Sequence, residues 1–209
     1  MKVAAGQFLL ILLAVGVCGC PPSGTPSRGD GPQEGWRSLF DGRTLAGWRV
    51  IQGSAECADG AILLNDGAEG RATIVAEDLS LRDGVVEITV RLRSHPTRKG
   101  VYTIGLRTTR TGDWSSVYCV CRADSLEVCR GSAWNWFPKP EVRATFEEVD
   151  APQEWRFVLA DESIHCHRFG SKVLGYRDPG PRSGTIAITA DNCALSVLAV
   201  RVMDTGSGQ

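Results

Sequence analysis

Apolar and polar residues alternate most clearly over Gly84–Arg93, where Val86, Ile88, Val90 and Leu92 share one face and Glu87, Thr89, Arg91 and Arg93 the other. A period of two with one apolar face is the pattern of a half-buried antiparallel strand. Further strand patterns follow over Val101–Thr108, Ser116–Arg122 and Leu126–Arg130, the last of them after the turn-forming Ala123-Asp124-Ser125. Trp155–Leu159, Ser163–Phe169, Lys172–Tyr176, Thr185–Thr189 and Ala194–Val202 continue the series, and Trp48–Ile51 and Ala61–Leu64 precede it, making about a dozen short strands. Gly, Asp, Asn or Pro stands between them. No segment keeps apolar residues at i, i+3, i+4 and i+7 for three turns, and only Pro152–Trp155 suggests one short helical turn. These patterns predict an all-β fold, a two-sheet antiparallel sandwich or jelly roll.

Composition changes the picture mainly at the start of the chain. Lys2 followed by the apolar or small run Phe8–Val17 reads as an export signal, too short to span a bilayer, which takes about 20 helical residues. The segment Val17-Cys18-Gly19-Cys20 resembles a bacterial lipobox, which implies cleavage after residue 19 and a lipid on Cys20. An ordinary signal cleaved nearby is the alternative. Residues 20–35, rich in Pro, Gly and Ser, offer no side chain that anchors a core and read as a tether. Residues 36–203 suit a single jelly-roll domain, and 204–209 a flexible tail. Removing residues 1–19 takes away Lys2 and no acid, leaving 22 basic and 24 acidic side chains, a formal charge of −2. That balance argues against nucleic acid as a partner. The expected location is the bacterial cell envelope, with the membrane engaged through the lipid at Cys20.

Gly35-Trp36-Arg37-Ser38-Leu39-Phe40-Asp41-Gly42-Arg43-Thr44-Leu45-Ala46-Gly47-Trp48 resembles the opening motif of the 3-keto-disaccharide hydrolase family, a Ser-Leu-Phe-(Asn/Asp)-Gly run before Leu-x-Gly-Trp. Its physical sense is local: Leu39, Phe40, Leu45 and Trp48 pack a strand and turn onto the sandwich, and Asp41-Gly42 makes the turn. Looser matches follow in order. They are Asp59–Leu64, Gly84–Arg93 with Glu87 and Arg91, Lys99–Arg107, Gln153-Glu154-Trp155, His165–Tyr176 with Phe169-Gly170 in place of Asn-Gly, and Gly184–Ile188. The resemblance implies a concanavalin A-like lectin/glucanase jelly roll that binds or processes glycosides. It also exposes departures. The family's Gly-Tyr-Glu-Val-Gln-Ile strand reads Val117-Tyr118-Cys119-Val120-Cys121-Arg122 here, which puts Cys119 and Cys121 at its polar positions. The family's Gln-Asp-His-Gly reads Ala190-Asp191-Asn192-Cys193, without the histidine.

These departures leave two readings from different classes. One is an enzyme acting on 3-keto-glycosides, which needs a base for the acidified proton and donors for the enolate oxygen. Its candidates are Glu87, Arg107 and Asp113. The other is a non-catalytic carbohydrate-binding or surface-interaction module with a degenerate site. A ligand surface is expected from Trp114, Tyr118, Trp134 and Trp136, stacking on sugar rings, with Arg107 or Arg130 bonding hydroxyls. Tryptophans that merely plug loops over the core are the alternative. No Glu-x-Asp-x-x-Glu strand, Gly-x-Ser-x-Gly, Ser-His-Asp arrangement or phosphate loop is present, and no cofactor is expected. Cys119, Cys121, His165 and His167 carry metal-ligand atoms at every-other-residue spacing, but lack the usual short Cys-x-x-Cys spacing, so no metal is expected. Six cysteines remain in the exported chain: Cys57, Cys119, Cys121, Cys129, Cys166 and Cys193. Export permits disulfides, Cys129 with Cys119 or Cys121 being one pairing, and buried free thiols are the alternative.

Overall fold

A computed structural model describes residues 35–65, 70–93, 100–111, 114–132, 140–147, 151–180 and 183–206. The described residues hold fifteen β-strands in two antiparallel sheets and no helix. The strands are β1 (Trp36–Ser38), β2 (Trp48–Gln52), β3 (Ser54–Ala58), β4 (Ala61–Asn65), β5 (Arg71–Ala76), β6 (Gly84–Arg93), β7 (Val101–Thr108), β8 (Trp114–Cys121), β9 (Ser125–Ser132), β10 (Val142–Thr145), β11 (Gln153–Ala160), β12 (Ser163–Arg168), β13 (Ser171–Arg177), β14 (Thr185–Asp191) and β15 (Ala194–Asp204). Sheet I runs β13-β12-β11-β6-β15-β4-β3, with β1 beside the second half of β15; sheet II runs β10-β9-β8-β7-β14-β5-β2. The fold is thus the two-sheet sandwich of the concanavalin A-like jelly rolls.

Alternation decides which residues meet between the sheets. Val86, Ile88 and Val90 of β6, with Trp155 and Phe157 of β11, line the inner face of sheet I; Tyr102, Ile104 and Leu106 of β7, with Ile186 and Ile188 of β14, line that of sheet II. All of these are essentially buried, and their removal from water is the main favourable term in folding. β5, next to the edge strand β2, is buried at every position, so it shows no alternation and carries no alternating signature in sequence. The short edge strands β3 and β10 escape for another reason: neither Ser-Ala-Glu-Cys-Ala nor Val-Arg-Ala-Thr has a full apolar face, and pairing with β4 and β9 imposes their form. The Pro152–Trp155 helical turn is not formed; Gln153 opens β11 and pairs with Val90.

The opening motif folds as its side chains require. Asp41 Oδ1 accepts the backbone N–H groups of Arg43 and Thr44, both at 2.8 Å, closing an Asx-type turn. Phe40 and Trp48 are buried, and the Trp48 indole N–H donates to the Leu39 carbonyl at 2.7 Å. Leu39 and Leu45 pack against the same core. Two hairpins use paired left-handed residues, as two-residue turns demand: Asp59-Gly60 (φ 52° and 75°) between β3 and β4, and Phe169-Gly170 (φ 48° and 79°) between β12 and β13. An aromatic residue in that conformation is strained.

The cysteines depart from expectation. All six described cysteines are free thiols. Cys119 and Cys121 point inward from β8 and are fully buried, as is Cys166 of β12 in the same core. Cys129 stands opposite Tyr118, an outward-facing residue, so it lies on the other face of sheet II from Cys119 and Cys121 and cannot pair with either. His165 and His167 lie on the outer face of sheet I, alternating with the buried Ile164, Cys166 and Arg168. The four metal-ligand residues therefore do not converge.

Candidate functional site

The outer face of sheet II is built by register across six strands. One row runs Thr73, Thr189, Thr103, Val120, Glu127 and Arg143, each opposite the next on the neighbouring strand. The row beside it runs Val75, Ala187, Gly105, Tyr118 and Cys129, and on its other flank stand Arg71, Asp191 and Val101. The middle of the second row is small (Ala187, Gly105), so it forms a floor beside the Tyr118 ring. Thr73 and Thr189 share a hydroxyl–hydroxyl hydrogen bond of 3.0 Å, while Thr189 and Thr103 are part-exposed. Charged groups stand at both ends. Arg71 Nη2 lies 3.3 Å from Asp191 Oδ2, and the Asn192 side-chain amide donates to Asp191 Oδ1 at 2.7 Å. Three strands away, Glu127 receives Arg122 on one oxygen (3.3 Å) and Arg143 on the other (3.5 Å).

The arrangement can hold a hydroxyl-rich ligand. It offers the part-exposed hydroxyls of Thr189 and Thr103, which both donate and accept, and the half-buried Glu127 between Arg122 and Arg143, while Thr73, Arg71 and Asp191 are buried. It cannot hydrolyse a glycoside by an Asp191–Glu127 pair. Three strand spacings separate their strands by roughly 14 Å, whereas paired carboxylates of glycosidases stand about 5–10 Å apart.

The candidates from sequence are dispersed. Tyr118 lies on this face, buried, with its ring in the second row. Arg130 is exposed and shares the parity of Leu126 and Val128, the side of β9 away from Cys129; burial holds the nearby Tyr176 hydroxyl above its ordinary pKa, the Arg130 charge opposing that rise. Glu87 is on the outer face of the opposite sheet. Its carboxylate is bound by Arg156 (3.2 Å) and by Arg201 (2.6 Å to Nε), and Arg201 in turn sits over the Trp36 ring at 4.6 Å. Asp113, Trp134 and Trp136 lie outside the described residues, as does the side chain of Trp114, whose backbone opens β8.

Arg107 sits at a β-bulge of β7 against β14, in the left-handed region (φ 52°). The bulge turns its side chain from sheet II toward the loops of sheet I. There Nη1 meets the fully buried Asp178 at 3.2 Å, and Nη2 donates to the carbonyls of Asp161 (2.6 Å) and Arg82 (3.1 Å). The side chain is 1 % exposed. Gly184 packs against the same bulge: a Cβ there would stand 2.5 Å from the Arg107 carbonyl carbon. Beside it opens a cleft of about 290 Å³, lined by Ser80, Thr108, Thr109, Arg110 and Thr185.

Positions 119 and 121 are corrected by the same register. They face the core, so the outward residues of β8 are Tyr118 and Val120, and the cysteines do not occupy a polar site. Burial raises both thiols well above their ordinary pKa, the neighbouring Cys166 thiol being the larger cause for Cys119, and burial pushes Cys129 up to about 11. None is poised as a nucleophile. Sequence reasoning missed Arg71, Thr73, Thr103, Glu127 and Thr189. The one available signal was Asp191, which stands where the family's Gln-Asp-His-Gly carries its acid.

Comparison with known proteins agrees with this architecture. Among curated proteins, none matches the chain. Among solved structures, the carbohydrate-binding module CBM66 from Bacillus subtilis is similar at 12% identity and a TM-score of 0.63, over 74% of this chain and 94% of that one. The carbohydrate recognition domain of Emp47p is similar at 12% identity and 0.62, over 80% and 93%. The exoplasmic/lumenal domain of VIP36, bound to Ca2+ and Man3GlcNAc, is similar at 10% identity and 0.62, over 82% and 90%. At such identities the likeness is one of fold. The model of the 3-keto-alpha-glucoside-1,2-lyase-like domain matches residues 35–192, most of the chain, and by that match the protein belongs to this family.

Proposed function

We propose that the outer face of sheet II binds a glycoside. The observation that carries this reading is the Thr73–Thr189–Thr103 row, with Asp191 and Arg71 at one end and Glu127, Arg122 and Arg143 at the other. Neutral sugars are held by bidentate hydroxyl contacts to such groups. Family membership and the carbohydrate-binding proteins of like fold support the same ligand class. A panel of glycosides and 3-keto-glycosides, followed for binding and product release together, tests it. Binding abolished by Thr189→Val and Asp191→Asn is the expected result; binding indifferent to both would overturn the assignment of the face.

Turnover is the second reading, and the family favours it. Proton abstraction beside a 3-keto group needs a carboxylate or other base within hydrogen-bond reach. Of the candidates from sequence Glu87 and Asp113 remain, Arg107 being buried and paired with Asp178, and Asp191 and Glu127 join them from the sheet II face. Product release without loss in Asp191→Asn and Glu127→Gln would return the search to Asp113 and Glu87. We also propose that the chain is an exported lipoprotein of the cell envelope, anchored at Cys20, a reading supported by the Phe8–Val17 run and the Val17-Cys18-Gly19-Cys20 segment. Residues 1–34 lie outside the described residues. A Cys20→Ala chain released from membranes is expected; continued anchoring would refute the lipid.

A further inference from the structure

At the end of the sandwich opposite Arg107, the last residue of β12 points inward. Arg168 is 5% exposed. Its guanidinium carbon lies 3.9 Å from the centroid of the Phe146 ring and 4.9 Å from that of Phe169. One nitrogen, Nη1, donates to the Glu147 carbonyl at 3.0 Å. The other edge, Nε and Nη2, is buried with no hydrogen-bond partner, and no ion pair to Arg168 is present among the described residues.

The surroundings cannot satisfy that edge. The Tyr102 hydroxyl accepts from the Trp155 indole N–H at 2.6 Å and donates to Gln153 Oε1 at 2.5 Å. The Cys121 thiol, beside them, donates to the Cys119 carbonyl. Donors outnumber acceptors in this cluster, and among the described residues its one cation has no counter-charge. A buried guanidinium in that state costs several kcal/mol. Phe169 adds a second sign that the place is built. Its backbone holds the left-handed conformation of the Phe169-Gly170 turn, a poor one for an aromatic residue, and that turn sets its ring over the guanidinium.

We propose that the Nε–Nη2 edge of Arg168 is a binding site for a carboxylate. Two parallel N–H groups in the plane of a guanidinium match the two oxygens of a planar carboxylate, and contact with the Phe146 and Phe169 rings holds the group in place. The ligand supplies the missing acceptors and the missing charge together. Entry runs past Phe146 and Glu147, which follow the four-residue edge strand β10 and are tied by the Phe146 N–H to Asp124 carbonyl bond of 2.9 Å. Edge segments of this kind open locally at low cost. The carboxylate is either a free small acid or the acid group of a uronic sugar; the second alternative rests on the glycoside reading above, the first does not.

Thermal unfolding of the full chain tests this, in sodium acetate and in sodium glucuronate against sodium chloride at equal ionic strength, with methyl glucoside as the uncharged control. Wild type is expected to gain stability saturably with a carboxylate. Arg168→Met should weaken the apparent affinity at least about tenfold, the loss of a charged hydrogen-bonding pair. Arg156→Met, on the outer face of sheet I, should respond as wild type does. A response to acetate assigns a free acid, and a response to glucuronate alone assigns a sugar acid. Should Arg168→Met fail to fold, crystals of wild type soaked in bromoacetate decide the matter: a bromine signal with its carboxylate on the Nε–Nη2 edge supports the site. Equal unfolding in acetate, glucuronate and chloride, or water or chloride alone at that edge after soaking, overturns it. Methyl glucoside binding unchanged in Arg168→Met leaves the sheet II reading standing whichever way the carboxylate result falls.

Discussion

Arg107 and Arg168 sit at opposite ends of one sandwich, both buried, and the chain treats them in opposite ways. Arg107 spends both terminal nitrogens on Asp178 and two loop carbonyls, tying the loops of sheet I to a bulge of sheet II. Arg168 has one carbonyl, two aromatic rings and an open edge. A charge buried with its counter-ion is a structural fastener; one buried without it is where a ligand is expected. Burial alone therefore does not separate scaffold from site in this protein. The partner set does.

The largest effect that tests this contrast is at Asp178. Asp178→Asn leaves the buried Arg107 guanidinium with only the more distant Asp83 carboxylate at 3.8 Å, and urea unfolding should report a loss of about 3 kcal/mol. A loss below about 1 kcal/mol would dissolve the distinction from one side. Gly184→Ala comes next: its Cβ would push on the Arg107–Thr108 backbone, an overpacking cost of about 1–3 kcal/mol on the same assay. High pH should act at the other end. Tyr102 and Cys121 beside Arg168 are held protonated by burial, well above their ordinary pKa values, and Cys129 is pushed from 9.0 up to about 11. A group whose pKa is raised on folding lends stability below its unfolded value and loses it as pH climbs through the folded one. Stability should therefore fall from about pH 9 upward through pH 11, and amide exchange should rise first around Tyr102 and Trp155 rather than around Arg107.

Smaller effects sharpen the comparison. Arg168→Met removes an unsatisfied charge and keeps the apolar bulk, so in plain buffer it should be at least as stable as wild type. A loss equal to that of Asp178→Asn would make Arg168 as structural as Arg107. Phe169→Asn should stabilise by less than about 1 kcal/mol, because asparagine tolerates the left-handed turn. The same variant should blunt the response to carboxylate, since one wall of the guanidinium is gone.

Much of the fold is legible in the sequence, and the reasons are particular. β6 announces itself because one face is wet and the other dry, so Val86, Ile88 and Val90 alternate with Glu87 and Thr89. β5 stays silent because both of its faces are covered. The opening motif reads correctly because its contacts are local: an Asp41 turn, and an indole that reaches back nine residues to Leu39. The site is less legible because it is made by register. Thr73, Thr103 and Thr189 belong to three strands far apart in sequence and become neighbours only when β5, β14 and β7 pair. The faces of Cys119 and Cys121 failed for a related reason. Alternation over Ser116–Arg122 permits either phase, and only the pairing with β7, which sets Cys119 opposite the buried Ile104, chooses one. Arg168 was invisible because nothing in His-Arg-Phe-Gly tells an inward arginine from an outward one.

The pairing of β1 with β15 has a consequence for access. Trp36 lies opposite Met203, so the first strand and the end of the last leave the domain side by side, from sheet I. The face with the threonine row belongs to the other layer. Residues 35 and 206 therefore both lie on the layer that does not carry the threonine row. A closed-up version of the chain, with residue 206 joined to residue 35 through a short linker and new ends opened at Asp59-Gly60, should keep the sheet II face intact while freeing the molecule from a fixed point of attachment.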